Sequence, residues 1–368
     1  MPSEESLKRY ARKYGNGAPA AARRWQASRR TINPKGEETT TYVPEREPHV
    51  VPDGMFAERI SSFTDSEGNE TARWTKYAKA ANKIADLELL LEGMREKLEP
   101  APWIAPPRGT NHDFCNILPI GDHHLGMLAW PKEVGEAWDV KIGENMLAAA
   151  TDHLFARMIP ATHCVIAFLG DFTHYDSTRP VTPTHGNILD ADVRKGKLIP
   201  AVSRSMRRVI DQAAAIHDSV HVIVESGNHD PDATLWMQEL LQVKYADNPR
   251  ITIDGSPSVF HYHHWGNNLI GTNHGDKVKL EELPIIMASD APKEWGETQH
   301  RMIFTGHIHH RRALDVRGVS VESMRVLPPG EAYAHQAGYR TIRQMQGITI
   351  HRETGEFARY SFSPAMLG

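Results

Sequence analysis

Val220-His221-Val222-Ile223-Val224 runs, within three residues, into Gly227-Asn228-His229-Asp230. The first part is short, apolar and rich in β-branched residues, which reads as a buried strand. The second part is a polar turn that holds an amide, an imidazole and a carboxylate. The same arrangement recurs on both sides of it. Ile117-Leu118-Pro119-Ile120 leads into Gly121-Asp122-His123-His124, and Cys164 to Leu169 leads into Gly170-Asp171. Leu269 to Thr272 leads into Asn273-His274-Gly275-Asp276, and Met302 to Thr305 leads into Gly306-His307-Ile308-His309. Helical stretches such as Leu147–Met158 and Val202–Ile216 lie between several of these runs, so the class is α/β. In such sheets ligands bind beyond the carboxyl ends of the strands, where all five polar clusters fall.

The residue types suit hard or borderline divalent metals: carboxylates, imidazoles and one amide oxygen, with no thiolate. One residue between Asp122 and His124, and between His307 and His309, puts each pair on one face of an extended segment. Asp171 stands alone on its strand and is suited to bridging two ions. The chain carries 21 histidines, and metal chemistry is one reason for so many.

The ordered set D-x-H, GD, GNHD, H and GHxH resembles the calcineurin-like metallophosphoesterases over about residues 114–325. The resemblance implies two packed β-sheets flanked by helices. It implies two divalent ions, Mn²⁺ in nucleases of this group, with Fe or Zn also fitting the ligands. One ion would take Asp122, His124, Asp171 and His309, and the other Asp171, Asn228, His274 and His307. Such a pair of ions screens an anionic phosphodiester and activates water. His229 is then placed to stabilise an equatorial oxygen or to protonate the leaving oxygen, and Asp176 and Asp230 are the acids that could orient it.

The segment Gly170 to Pro180 lacks the GDxxDRG pattern of the protein phosphatases of this superfamily. It is closer to DNA repair nucleases of the SbcD type, in which a histidine at the place of His174 acts on the nucleic-acid strand. Thr173 departs from the bulky residue usual there. The whole layout is also similar to phage-encoded metallophosphoesterases with a small helix-turn-helix head. Thr184 to Arg194 and Gly296 to Gly306 look like segments of that group, and Arg194 is a candidate for a substrate phosphate, or else a partner of Asp190 or Asp192. An ATPase partner is typical of the SbcD type, although nothing in this chain identifies its docking surface.

Outside the catalytic region, charge is uneven. Residues 1–35 hold nine Lys/Arg against two Asp/Glu, on a chain whose net charge is −4. A basic head on an acidic body points to a polyanion. Leu7–Tyr14, Ala20–Trp25 and Arg29–Ile32 read as three short helices, a helix-turn-helix offering Arg23, Arg24, Arg29, Arg30 and Thr31 to DNA. Residues 36–55 read as a linker. Within 56–110, Phe56–Phe63 and Thr71–Tyr77 read as a hairpin, and 76–99 as an amphipathic helix packed on its own domain or joining two copies in a homodimer. Residues 111–368 make the catalytic domain, whose tail strands Gly347–Ile350 and Phe357–Phe362 are expected to close the second sheet.

Composition bounds the rest. With 368 residues, 40% hydrophobic and 24% charged, the chain is a globular protein and not a disordered one. No apolar run is long enough to span a bilayer, and the start MPSEESLKRYARKYG shows no secretory signal. Two cysteines, Cys115 and Cys164, allow no disulfide framework, so a cytoplasmic setting is expected, the host's if the chain is phage-encoded. The functional expectation is a metal-dependent DNA phosphodiesterase. The alternatives are an enzyme for small or cyclic nucleotides and a DNA-binding scaffold with an idle metal site.

Overall fold

The computed structural model describes residues 101–330, 338, 340 and 342–367, and the backbone of four strands before them. The chain divides into two units, Met1–Ala85 and Asp86–Gly368.

In the first unit, β1 (Ser28–Ile32) pairs antiparallel with β2 (Glu38–Tyr42), and β3 (Met55–Thr64) with β4 (Glu70–Lys79). The β3–β4 pair is the hairpin expected from the sequence. β1 corrects the helical reading of Arg29–Ile32, so Arg29, Arg30 and Thr31 lie on a strand and not on a recognition helix. The reason is visible in composition: Thr31 and Ile32 are β-branched, and Thr39-Thr40-Thr41-Tyr42 opposite them is a strong strand former. β2 likewise falls inside the stretch read as linker. Lys76–Lys79 belongs to β4 rather than to a helix. The two earlier head helices, with Arg23 and Arg24, and the remainder of 80–99 lie outside the described residues.

The second unit holds two packed sheets. Four parallel strands, β5 (Asn111–Ile120), β6 (Ala161–Phe168), β7 (Ser219–Val224) and β8 (Ile251–Ile253), form the body of the first. The second sheet contains β9 (His261–Trp265), β10 (Asn268–Asn273), β11 (His300–Thr305), β12 (Arg312–Val316) and β13 (Val319–Ser323), in the order β12-β13-β11-β10-β9. β14 (Met345–His351) and β15 (Gly355–Phe362) complete the first sheet, whose order is β15-β14-β5-β6-β7-β8. The tail therefore extends the first sheet, not the second as the sequence suggested. Both faces of β14 are buried, and pairing with β5 covers an edge that would otherwise be open.

Packing is layered. Ile117, Val165, Ala167, Ile223, Ile270, Phe304, Ile348 and Ile350 fill the space between the sheets. Burying each large apolar side chain there contributes about 1.5–3 kcal/mol. The helices Val140–Phe155, Lys195–Ile216 and Pro231–Tyr245 cover the outer face of the first sheet through Leu147, Leu154, Val202, Val209 and Met237. Asp139 starts the first of these by accepting the Ile142 N–H at 2.7 Å. Leu283 and Met287, from the helix Leu283–Asp290, cover Leu269, Ile303 and Val321 on the second sheet. Two sheets flanked by helices is the architecture the resemblance implies. None of the described helices is long and apolar enough to cross a membrane.

This topology sets up the site. Because β5, β6 and β7 are parallel neighbours, the turns bearing Asp122, Asp171 and Asn228 emerge side by side. β10 and β11 are also parallel, so His274 and the His307–His309 turn emerge together from the facing sheet.

Candidate metal centre

The five strand-end turns meet across the top of the sandwich. Ligating atoms of Asp122, His124 and His309 lie within 4.8 Å of one another, and so do those of Asp171, His274 and His307. His309 Nε2 is 2.8 Å from Asp122 Oδ2 and 3.1 Å from His124 Nε2. Asn228 joins the other group: its Oδ1 is 3.1 Å from His274 Nε2 and 2.9 Å from His307 Nδ1. His274 Nε2 lies 3.4 Å from Asp171 Oδ2. The seven donors singled out from the sequence are thus brought together in two adjoining groups. A third group, His124, His174 and His229, adjoins the first.

The backbone is bent to achieve this. Five non-glycine residues among those described have positive φ, and four are His124 at 43°, Asp171 at 48°, His307 at 67° and His309 at 57°. A left-handed backbone costs a non-glycine residue on the order of 1–2 kcal/mol. Strain concentrated on the polar donors is a mark of a functional site. Two glycines make room. A Cβ at Gly227 would overlap the Asp171 carboxylate, and one at Gly306 would overlap that of Asp122.

Outer contacts fix the donors. His274 Nδ1 donates to the Leu169 carbonyl at 2.8 Å, which leaves Nε2 as its ligating nitrogen. Asp122 accepts the His307 N–H, at 3.0 and 2.9 Å from its two oxygens. Asp171 Oδ1 accepts the His229 N–H at 2.7 Å. Burial, reinforced by His229 and His309, holds His124 well below the usual imidazole range, so it offers a lone pair and not a proton. Burial opposes charge on Asp171, but the His274 imidazole beside it holds the carboxyl below its ordinary value. Carboxylates, imidazoles and one amide oxygen without thiolate fit divalent cations of the Mn, Fe or Zn kind.

His229 sits beside this cluster. Its Nδ1 donates to the His174 carbonyl at 2.8 Å, so Nε2 is its exchangeable position. Neither acid considered from the sequence orients it. Asp176 accepts the Asp232 and Ala233 N–H groups at 2.7 and 2.8 Å, satisfying the start of the helix Pro231–Tyr245. Asp230 is fully buried and accepts the N–H groups of Asp171 at 3.0 Å, Thr173 at 2.9 Å and Gly227 at 3.1 Å. Burial and the Asp171 charge push its carboxyl up to about 7. Backbone amides of the helix start and of the turns claim these acids, and a sequence gives no means of ranking them against an imidazole.

His174 is only 1% exposed. Its ring stacks on His229 at 5.6 Å, and its Nδ1 is 3.3 Å from His124 Nδ1. Burial, then His229, lowers its pKa to about 3. Its ring contacts other histidines of the site. His123, between two donors in sequence, turns instead into the core against Trp138 and Phe172. Arg194 is exposed and makes no ion pair with Asp190 or Asp192, and Asp192 instead accepts the Val140 N–H at 3.0 Å.

Two supporting residues were not foreseen. Buried Lys195 donates to the Tyr175 carbonyl at 2.8 Å, bracing the loop that holds His229. Glu225, buried just before the Gly227 turn, accepts the Thr272 hydroxyl. The one signal for Glu225 was an acid placed directly after an apolar strand.

No family model and no curated protein matches the chain. Similar solved structures include an archaeal phosphodiesterase at 14% identity, covering 68% of this chain and 99% of that one, with a TM-score of 0.33. A predicted phosphoesterase from Streptococcus pneumoniae matches at 12% identity over 69% and 99%, with a TM-score of 0.27. Vacuolar Protein Sorting 29 from Cryptosporidium parvum matches at 13% identity over 68% and 100%, with a TM-score of 0.29. At these TM-scores the likenesses decide nothing about chemistry, which rests on the donors themselves.

Proposed function

We propose that the chain is a dinuclear-metal phosphodiesterase of the calcineurin-like type, and that its substrate is DNA. The observation that carries the reading is the meeting of seven metal-type donors from five separate strand ends, four of them in left-handed backbone. Asp122, His124, Asp171 and His309 would hold one ion, and Asp171, Asn228, His274 and His307 the other. Bound there, two divalent ions screen the phosphate's charge and make water nucleophilic at neutral pH. His229, fixed through Nδ1 by the His174 carbonyl, presents Nε2 to the reacting phosphate and protonates the leaving oxygen. His174 keeps His124 and His229 in register. Mn²⁺ is the proposed metal.

DNA as substrate is supported by the basic head, with a net charge of +7 over residues 1–35, and by the lack of a phosphatase GDxxDRG segment. A second reading, hydrolysis of a small or cyclic nucleotide, is favoured by the burial of His174 and by the strand at Arg29–Thr31. Metal-supplemented assays on end-labelled single- and double-stranded DNA, RNA, cyclic nucleotides and an aryl phosphodiester separate the two. Cleavage of DNA is expected, and activity limited to the small substrates would reject the nuclease reading. Deleting residues 1–35 is expected to weaken DNA binding and flatten its salt dependence while sparing the aryl diester. Cytoplasmic location, a homodimer through residues 76–99 and an ATPase partner are further proposals of the same reading.

A further inference from the structure

Glu225 lies immediately after β7, where the first sheet faces the second. Its N–H donates to the Phe168 carbonyl at 2.8 Å, and its side chain is wholly enclosed. One carboxylate oxygen accepts the Thr272 hydroxyl from β10. The other, Oε2, is 4.0 Å from His261 Nε2 on β9, and His261 Nδ1 donates to Asp254 at 2.9 Å. Thr272 and His261 are register partners, so the carboxylate addresses one rung of the second sheet.

The connectivity from this point is unusual. Three residues beyond Glu225 in its own chain stands Asn228, and two residues beyond Thr272 stands His274. Asn228 Oδ1 and His274 Nε2 are 3.1 Å apart. Glu225, Asn228, His274 and Thr272 therefore form a closed circuit, with two sides covalent and two sides polar contacts. Both donors in it belong to the same proposed ion. Asp122, His124 and His309, the first ion's own donors, lie outside it.

Burying a carboxylate costs several kcal/mol, and an apolar residue would join the sheets at least as stably. Burial pushes the Glu225 carboxyl up to about 7, and an acid kept here at that cost is explained by what it fixes. We infer that Glu225, acting through Thr272 and opposed by the His261–Asp254 pair, is a positioning residue that sets the Asn228–His274 spacing for the second ion. The inference rests on the dinuclear reading above and goes beyond it by giving the two ions separate supports.

The test is calorimetric titration of Mn²⁺ into metal-stripped, full-length protein, with His309→Ala and His307→Ala identifying the first and second binding steps. Thr272→Val is expected to weaken the second ion about 10- to 100-fold and to leave the first within about twofold. Thr272→Ser, which keeps the hydroxyl, is expected to restore the second step. Glu225→Gln, which still accepts from Thr272 but puts an amide in place of the carboxyl oxygen facing His261, is expected to fall between. Unchanged binding in Thr272→Val, or equal weakening of both steps, overturns the role of Glu225. Wild-type protein that takes up no pair of ions overturns the dinuclear reading itself.

Discussion

Two clusters of buried and half-buried histidines lie in the same sandwich and differ in nearly every physical respect. At the carboxyl ends of the strands, His124, His274, His307 and His309 converge with carboxylates, and all but His274 have positive φ. Toward the opposite ends of β6 and β7, His163 and His221 stack with His263 of β9 in regular strand backbone. The ring centroids are 5.0 Å apart for His163 and His263 and 4.3 Å for His221 and His263, with interplanar angles of 17° and 22°. His163 Nε2 and His263 Nε2 meet each other at 2.9 Å, but the stack is not among the described groups in which three or more ligating atoms converge. Imidazole alone does not make a metal site. Convergent lone pairs, an anion to neutralise the ion, and a backbone strained into place distinguish one cluster from the other.

The contrast can be broken in order of expected effect. Asp171→Asn removes the anion proposed to be shared by both ions and is expected to lower phosphodiester hydrolysis at least about 10³-fold. His263→Phe, in the stack, is expected to leave hydrolysis unchanged, and a comparable loss there would erase the distinction. His229→Ala is expected to reduce kcat by about 10²–10⁴-fold without loss of bound divalent metal, as measured by steady-state rates beside metal stoichiometry. Gly227→Ala forces a methyl group against Asp171 and is expected to cost roughly 1–3 kcal/mol in denaturant unfolding as well as metal affinity.

The smallest effect belongs to the stack. Burial, followed by neighbouring imidazoles, brings His163 down to about 4 and His263 to about 2, from an ordinary 6.5. The unfolded chain therefore takes up these protons first. Their contribution to stability is complete above about pH 6.5 and declines as pH falls toward the folded values. Between about pH 7 and pH 5 each such histidine is expected to remove about 1–2 kcal/mol. His263→Phe should make the unfolding midpoint less steep in pH over that window, and an unchanged slope would show that the stack does not carry this sensitivity.

Much of the second unit was legible because parallel strands buried on both faces are almost continuously apolar, and each ended in a turn dense with donors. That the donors would meet was readable because strand neighbours in an α/β sheet share an end, while their division between two ions came from the resemblance to the metallophosphoesterases. What stayed hidden was set by tertiary competition. Asp176 and Asp230 were drawn to unpaired backbone N–H groups, and the His174 carbonyl, which no side-chain pattern reports, took their place at His229. The head was misread where composition was ambiguous. Arg29-Arg30-Thr31-Ile32 is too short for periodicity to separate helix from strand, and its partner Glu38–Tyr42 decided the outcome. The tail strands were recognised, but which sheet they joined depended on an open edge of β5 that the sequence does not display.

The antiparallel seam between β14 and β5 has a consequence for biosynthesis. β5 leads directly to Asp122, yet the strand that covers its edge is made only after residue 345, and His124 must meet a histidine 185 positions later. A ribosome part-way along the message therefore carries a polypeptide that has every early donor and no assembled centre. The two groups of donors can close only after residue 309 has been made, so a prematurely ended product keeps the early donors without the site they build.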